Sequence, residues 1–78
     1  MKKVTVYSSP HCPACDKAKH FLAENKVKFD VIDVTKDREA AIDAVNKTGQ
    51  MSIPIIRIDE EYLVGFNKDA LRAALNLG

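Results

Sequence analysis

Two cysteines separated by two residues are the part of this sequence with the clearest chemical potential. They are Cys12 and Cys15, in the segment YSSPHCPACDKAKHF, and the chain contains no other cysteine. Such a pair could bind a metal ion, form a structural disulfide, or exchange electrons through a reversible disulfide. Composition and spacing favour the third of these interpretations.

A structural disulfide fits poorly with what the sequence predicts about location. No apolar run approaches the length of a membrane span, and the N-terminal segment is too polar for a signal peptide, so we expect a cytoplasmic protein. A reducing compartment works against permanent disulfides. A bridge between Cys12 and Cys15 would also close a very small loop, which removes little entropy from the unfolded chain.

A zinc site would require two more ligands, because structural zinc ions usually have four. Only His11 and His20 could complete the set. His11 is adjacent to Cys12, so that binding the same ion would strain the backbone, and His20 is expected to be an exposed helix residue. We therefore expect no bound metal.

The length and charge of the chain narrow the possible partners. Its 78 residues predict one domain, residues 1–78, which we expect to be a monomer. The net charge is +1, and twelve basic residues are interleaved with eleven acidic ones. A nucleic-acid-binding protein would more often gather its basic side chains into a patch, so we expect neither nucleic acid nor a membrane as a partner.

Hydrophobic periodicity and turn residues predict the element order β-α-β-α-β-β-α. The first three elements form a parallel βαβ unit, and the last two strands can pair as an antiparallel hairpin. The predicted fold is therefore α/β, with three helices on a four-stranded mixed sheet. The predicted strands are 2–8, 27–34, 53–58 and 62–66, and the predicted helices are 13–25, 37–49 and 67–78.

The cysteine pair falls where the first strand ends and the first helix begins, with Pro13 in the first turn. The unpaired N–H groups and the dipole of a helix N-terminus favour a thiolate, which can lower the pKa of such a cysteine from about 8.5 to between about 3.5 and 7.5. Residues i and i+3 of a helical turn also satisfy the Cα separation of a disulfide. We therefore expect Cys12 to be the exposed attacking cysteine and Cys15 the shielded resolving cysteine.

His11 has two interpretations. It is either a solvated loop residue, or its imidazolium lies near the Cys12 sulfur and tunes the pKa of that thiol.

The chain resembles the glutaredoxins in VTVYSSPHCPAC followed by a helix, in SIP before a strand, and in VGF before the last helix. This resemblance implies a thioredoxin fold, thiol-disulfide oxidoreductase activity, and a cis peptide bond between Ile53 and Pro54 facing the Cys12 sulfur. It also implies that the backbone of Ile53 pairs with the substrate, that no cofactor is tightly bound, and that glutathione is a possible reductant. The implied partners are disulfide-bearing proteins or glutathione, together with a reductase. The predicted substrate-binding residues are His11, Pro13, Ile53, Pro54, Gly65, Phe66 and Asn67.

The segment VGFNK differs from the glutathione-dependent branch of the family that the chain resembles. Members of that branch tend to have Gly-Gly-x-Asp-Asp before the final helix. Gly65 is kept, but Asn67 and Lys68 replace the two aspartates. Lys68 would repel the ammonium group of glutathione, although Asn67 and the helix N-terminus could still hold its carboxylate.

The GF pair resembles the redoxins that serve ribonucleotide reductase and receive electrons from thioredoxin reductase, which is the alternative function. A further alternative is a [2Fe–2S] carrier, as formed by some glutaredoxins between two monomers and two glutathiones.

Overall fold

The computed structural model describes residues 3–50 and 52–76, which form one sheet flanked by helices. The predicted order of strands and helices is confirmed. No helix in this part of the chain has the length and apolarity that crossing a membrane requires. The elements are β1 (Val4–Ser8), α1 (Pro13–Glu24), β2 (Asp30–Asp33), α2 (Arg38–Thr48), β3 (Ile55–Ile58), β4 (Glu61–Val64) and α3 (Lys68–Leu75).

The sheet has four strands in the order β2-β1-β3-β4. Strands β1 and β2 are parallel, as expected of strands joined by a crossover helix, whereas β3 is antiparallel to both β1 and β4. This mixed sheet with three helices confirms the predicted thioredoxin fold.

The two faces of the sheet form two apolar clusters, because side chains alternate along each strand. Tyr7 and Ile55 lie on one face and pack with Ala44 of α2. Helices α1 and α3 cover the other face. The buried residues on that side are Val4, Val6, Ala18, Phe21, Leu22, Ile56, Ile58 and Leu71.

Helix α2 has the ends that its sequence predicts. The Asp37 side chain accepts a hydrogen bond from the Ala40 N–H at 3.0 Å, as an N-cap does. At the other end Gly49 adopts a left-handed conformation and donates its N–H to the Val45 carbonyl at 2.7 Å. The predicted range of 37–49 is therefore the helix together with its two caps.

The second strand is shorter than predicted, since β2 begins at Asp30 and the prediction was 27–34. The Val27 N–H donates to the Leu22 carbonyl at 2.9 Å, which ties this residue to the end of α1. Lys26 has a φ of 58°, so that the chain turns there. Val27 and Phe29 still pack against the core, which gives this segment the apolar pattern of a strand although it does not pair as one.

The other predicted elements are present with slightly different bounds. Asn25 is the C-cap of α1 and not its last residue, and Asn67, the first residue of the predicted helix 67–78, is the N-cap of α3. Strand β3 begins after Pro54, and β4 occupies Glu61–Val64, where 62–66 was predicted. Residue 2 of the first predicted strand and residues 77–78 of the last predicted helix lie outside the described residues.

Tyr7 is buried beneath α2, and its hydroxyl lies in a small polar group with Tyr62 and Arg57. The two tyrosine rings have centroids 6.3 Å apart, and the Arg57 guanidinium carbon is 5.5 Å from the centroid of Tyr62. Burial raises the pKa of Tyr7 above its ordinary value of 10.0, Tyr62 raises it further, and Arg57 opposes the rise.

We expect Tyr7→Phe to reduce the amount of stability that the protein loses at alkaline pH. A raised pKa in the folded state means that the contribution of Tyr7 is complete below about pH 10 and is lost as pH rises through its folded pKa. The difference in unfolding free energy between the wild type and Tyr7→Phe should be constant below about pH 9 and shift in favour of the variant above about pH 10. Urea unfolding at a series of pH values measures this difference, and a difference independent of pH would contradict the prediction.

Candidate active site

Cys12 is the N-cap of α1, and its sulfur lies at the positive end of the helix dipole. Its backbone is extended, with φ −136° and ψ 95°, and Pro13 begins the helix with a φ that the ring already fixes. The Cys12 Sγ accepts a hydrogen bond from the Cys15 N–H at 3.1 Å. This donor and the helix dipole both favour a thiolate at Cys12.

Cys12 and Cys15 form a disulfide, with their Cα atoms 5.2 Å apart. This separation lies within the usual range for disulfides of about 4.4–6.8 Å. The first turn of α1 therefore holds the two cysteines at a separation at which this bond can form.

The two cysteines differ in exposure, although less than the sequence predicted. Cys15 is completely buried, and Cys12 is 9% exposed. The expected order is therefore confirmed, but the prediction of an exposed Cys12 is wrong for the disulfide form. The sulfur turns inward to Cys15 and its N–H, which leaves only a small part of the residue open to solvent.

The segment before β3 forms the second part of the site. The peptide bond between Ile53 and Pro54 is cis, as the family resemblance implied, and Pro54 is buried while Ile53 is half-buried. The Pro54 carbonyl accepts a hydrogen bond from the Gly65 N–H at 2.7 Å. Gly65 has a φ of 82°, a backbone conformation that residues other than glycine rarely adopt. Glycine therefore suits the turn that makes this bond.

The third part of the site is the N-terminus of α3. The Asn67 Oδ1 accepts a hydrogen bond from the Ala70 N–H at 3.1 Å, which caps the helix. Lys68 is the first helical residue and is exposed, and Phe66 is half-buried just before the cap. The Asn67 carbonyl oxygen therefore already has a helix N–H as a partner.

Sheet topology brings these three parts to one end of the sheet. Tyr7, near the end of β1, is paired with Ile55 at the start of β3, and Ile55 is paired with Val64 at the end of β4. The cysteine turn, the Ile53–Pro54 bond and the Gly65–Lys68 segment each continue directly from one of these strand ends.

The two histidines lie outside the cysteine pair. His11 is exposed in the turn before α1, and the hydrogen bond to the Cys12 sulfur comes from a backbone N–H and not from this imidazole. His20 is exposed as predicted, and its Nε2 is 2.6 Å from the Glu24 Oε1. Among residues 3–50 and 52–76, no three His, Cys, Asp or Glu side chains gather as a metal site would require.

The family follows from a comparison of the whole chain with known proteins. The family model described as Glutaredoxin matches residues 4–63, which include the cysteine turn and the Ile53–Pro54 segment. The chain belongs to the glutaredoxin family.

Two relatives and one solved structure match most of this chain and most of their own length. A glutaredoxin-like 8.6 kDa protein of the rubredoxin operon of Clostridium pasteurianum is 34% identical over 83% of this chain and 87% of that protein. The glutaredoxin-like protein NrdH of Lactococcus lactis is 32% identical over 87% of this chain and 93% of its own. The crystal structure of the thioredoxin-like protein BC3987 superposes with a TM-score of 0.85 at 35% identity, covering 92% of this chain and 99% of that one.

Glutaredoxin-family membership and the Cys12–Cys15 pair together make this protein a thiol-disulfide oxidoreductase. Its substrates are disulfides, and a reductase must return the pair to the dithiol form.

The sequence did not predict two hydrogen bonds that shape the site, each donated by a backbone N–H. One is the bond from the Cys15 N–H to the Cys12 sulfur, and the other joins Gly65 to Pro54. The first could have been predicted, because an N-cap side chain usually accepts from the N–H two or three residues on. The second depends on two segments that are distant in sequence, and no local pattern indicates it.

Proposed function

We propose that the protein reduces disulfides of protein substrates, with Cys12 as the attacking and Cys15 as the resolving cysteine. The Cys12 thiolate attacks one sulfur of the substrate disulfide, which forms a mixed disulfide and releases the other substrate sulfur as a thiolate. The Cys15 thiolate then attacks the Cys12 sulfur and releases the second substrate thiolate. The substrate gains two electrons, and the protein is left with the Cys12–Cys15 disulfide.

The observation that carries this proposal is the position of the Cys12 sulfur at the N-terminus of α1, 3.1 Å from the Cys15 N–H. A thiolate is the reactive form of cysteine, and it is the form that this N–H and the helix dipole stabilise. The complete burial of Cys15 supports the division of roles, since an incoming disulfide reaches the more exposed sulfur first.

Substrate binding is proposed for residues in the segments that continue from the same end of the sheet as the cysteine turn. The half-buried Ile53 precedes the cis bond, and we propose that its backbone pairs with an extended substrate segment as an added strand would. The remaining proposed contacts come from the cysteine turn, the cis proline and the segment before α3. They are His11, Pro13, Pro54, Gly65, Phe66 and Asn67.

For the source of electrons, we propose a flavoprotein reductase of the thioredoxin reductase class over glutathione. Asn67 already uses its side-chain carbonyl oxygen to cap α3, and the exposed Lys68 carries a positive charge at a position where the glutathione-dependent branch has an aspartate. Losing charge-assisted hydrogen bonds of about 1.5–3 kcal/mol each should weaken glutathione binding by about tenfold or more.

The test is NADPH consumption with one uncharged substrate, bis(2-hydroxyethyl) disulfide, and two recharging systems. One system contains glutathione and glutathione reductase, and the other contains thioredoxin reductase alone. We expect turnover with thioredoxin reductase to be at least about tenfold faster. Lys68→Asp should narrow this difference by improving glutathione-dependent turnover, and the same change at the exposed Lys28, in the loop after α1, should not.

Efficient turnover of the wild type with glutathione alone would overturn the proposed electron source. Cysteine-dependent turnover in either system would still support disulfide reduction itself, so that the two parts of the proposal are tested separately.

A further inference from the structure

A groove of about 420 Å³ lies between α1 and the start of α3. We call it the α1–α3 groove. The residues that line it are Lys17, His20, Phe21, Glu24, Phe66 and Lys68. The role proposed above involves only Phe66 and Lys68 of this set, and both of them at the end of the groove nearest the site.

The groove leads away from the cysteine pair along one stripe of α1. Lys17, Phe21 and Glu24 are spaced by four and three residues, so they share one face of the helix. One turn before Lys17 the same face carries Pro13 and Ala14, the two residues between the cysteines. A chain bound at Cys12 can therefore continue directly into the groove.

Two aromatic rings supply the apolar part of the groove. Phe21 is 6% exposed, and its ring centroid is 6.0 Å from that of the half-buried Phe66 in an edge-to-face arrangement. The Arg72 guanidinium carbon lies 5.9 Å from the Phe21 centroid. Because Phe66 is half-buried and packs against the core, its exposed part offers an apolar contact for an incoming side chain.

The rim of the groove carries excess positive charge. Lys17 and Lys68 are both exposed. Among the described residues that line the groove, Glu24 is the one acidic residue, and it is paired with His20. Asp16 is beside Lys17 in sequence but turns to Lys19, with their charged atoms 3.5 Å apart. The two lysines therefore favour a negatively charged occupant.

We infer that the α1–α3 groove binds an acidic segment of the substrate protein that flanks its reactive cysteine and carries an apolar side chain. The inference rests on the proposed function, since it places the substrate cysteine at Cys12. From Pro13, Lys17 is about 6 Å and Glu24 about 16 Å along the helix axis. An extended chain rises about 3.3 Å per residue, so the acidic residues should lie about two to five positions from the substrate cysteine.

The experiment uses synthetic peptides that carry one cysteine as a mixed disulfide with 2-nitro-5-thiobenzoate. Two residues from the cysteine, the peptides contain Phe-Glu-Glu, Phe-Gln-Gln or Phe-Lys-Lys, on either side of the cysteine in separate versions. The reduced protein attacks the peptide sulfur and releases the coloured thiolate, which gives a second-order rate constant. We expect the acidic peptide to react about tenfold faster than the lysine peptide at low ionic strength, and high salt should reduce the difference.

Charge reversal at the groove tests whether these two lysines cause the preference. Lys17→Glu with Lys68→Glu should reverse the order of the acidic and lysine peptides. The matched control is Lys28→Glu, an exposed site in the loop that leads into β2, at the opposite end of the strands from the cysteine pair. This control should keep the wild-type order. Equal rates for all peptides, or an unchanged order in the double variant, would overturn the inference and leave the proposed function intact.

A second measurement does not depend on disulfide exchange. The acidic peptide with serine in place of cysteine is titrated into the oxidised, ¹⁵N-labelled protein. Chemical-shift changes should concentrate at Lys17, Phe21, Phe66 and Lys68, and their absence would count against the groove. If the wild type releases thiolate from every peptide no faster than the Cys12→Ser variant does, the proposed function fails. The titration still decides whether the groove binds acidic segments.

Discussion

Cys12→Ser should reduce disulfide turnover to the uncatalysed rate, whereas Cys15→Ser should stop the reaction at the mixed disulfide. A serine hydroxyl at the α1 N-terminus is not ionised near neutral pH, so that the first variant has no nucleophile at position 12. The second variant keeps the Cys12 thiolate and its place at the helix N-terminus, but it lacks the intramolecular thiol that would release the bound substrate. Mass spectrometry of each variant after incubation with a protein disulfide measures the trapped adduct.

The adduct should form with Cys15→Ser and not with Cys12→Ser, and the opposite pattern would reverse the assigned roles. Because Cys15 is completely buried, Cys15→Ala provides a second variant that places no unpaired hydroxyl in the core. Far-UV circular dichroism of all three variants confirms that any loss of activity is not a loss of fold.

Ile56→Ala should be among the most destabilising single substitutions in the described residues. Ile56 lies on β3, one of the two central strands, is completely buried, and belongs to the cluster beneath α1 and α3. Truncating such a side chain leaves a cavity and costs about 2–5 kcal/mol. For a domain of this size the midpoint of thermal unfolding should fall by about 10 °C or more.

The chain offers a matched control for this substitution in Ile42→Ala. Ile42 is 61% exposed on α2, and alanine is the better helix former, so that its unfolding free energy should change by about 0.5 kcal/mol or less. Urea unfolding of both variants measures the two losses. Similar losses would mean that the face of the sheet beneath α1 and α3 is not the main stabilising core.

Much of the fold follows from local signals that are complete within a few residues. The ends of α2 and the start of α3 were predicted to within a residue or two, because Asp37, Gly49 and Asn67 are residue types that begin or end a helix. The start of β2 was predicted three residues too early, because Val27 and Phe29 are apolar residues that pack against the core without belonging to the strand. Periodicity alone does not distinguish this packing from strand pairing.

The cysteine pair, its spacing and its place at the start of a helix can all be predicted from the sequence, because they depend on neighbouring residues. The surroundings of the pair depend on how the chain folds. The sheet register brings Pro54 and Gly65 to the end of the sheet where α1 begins, and packing of α1 against the start of α3 places Phe21 beside Phe66. These contacts join segments far apart in the chain, and the way the elements pack decides which of those segments meet.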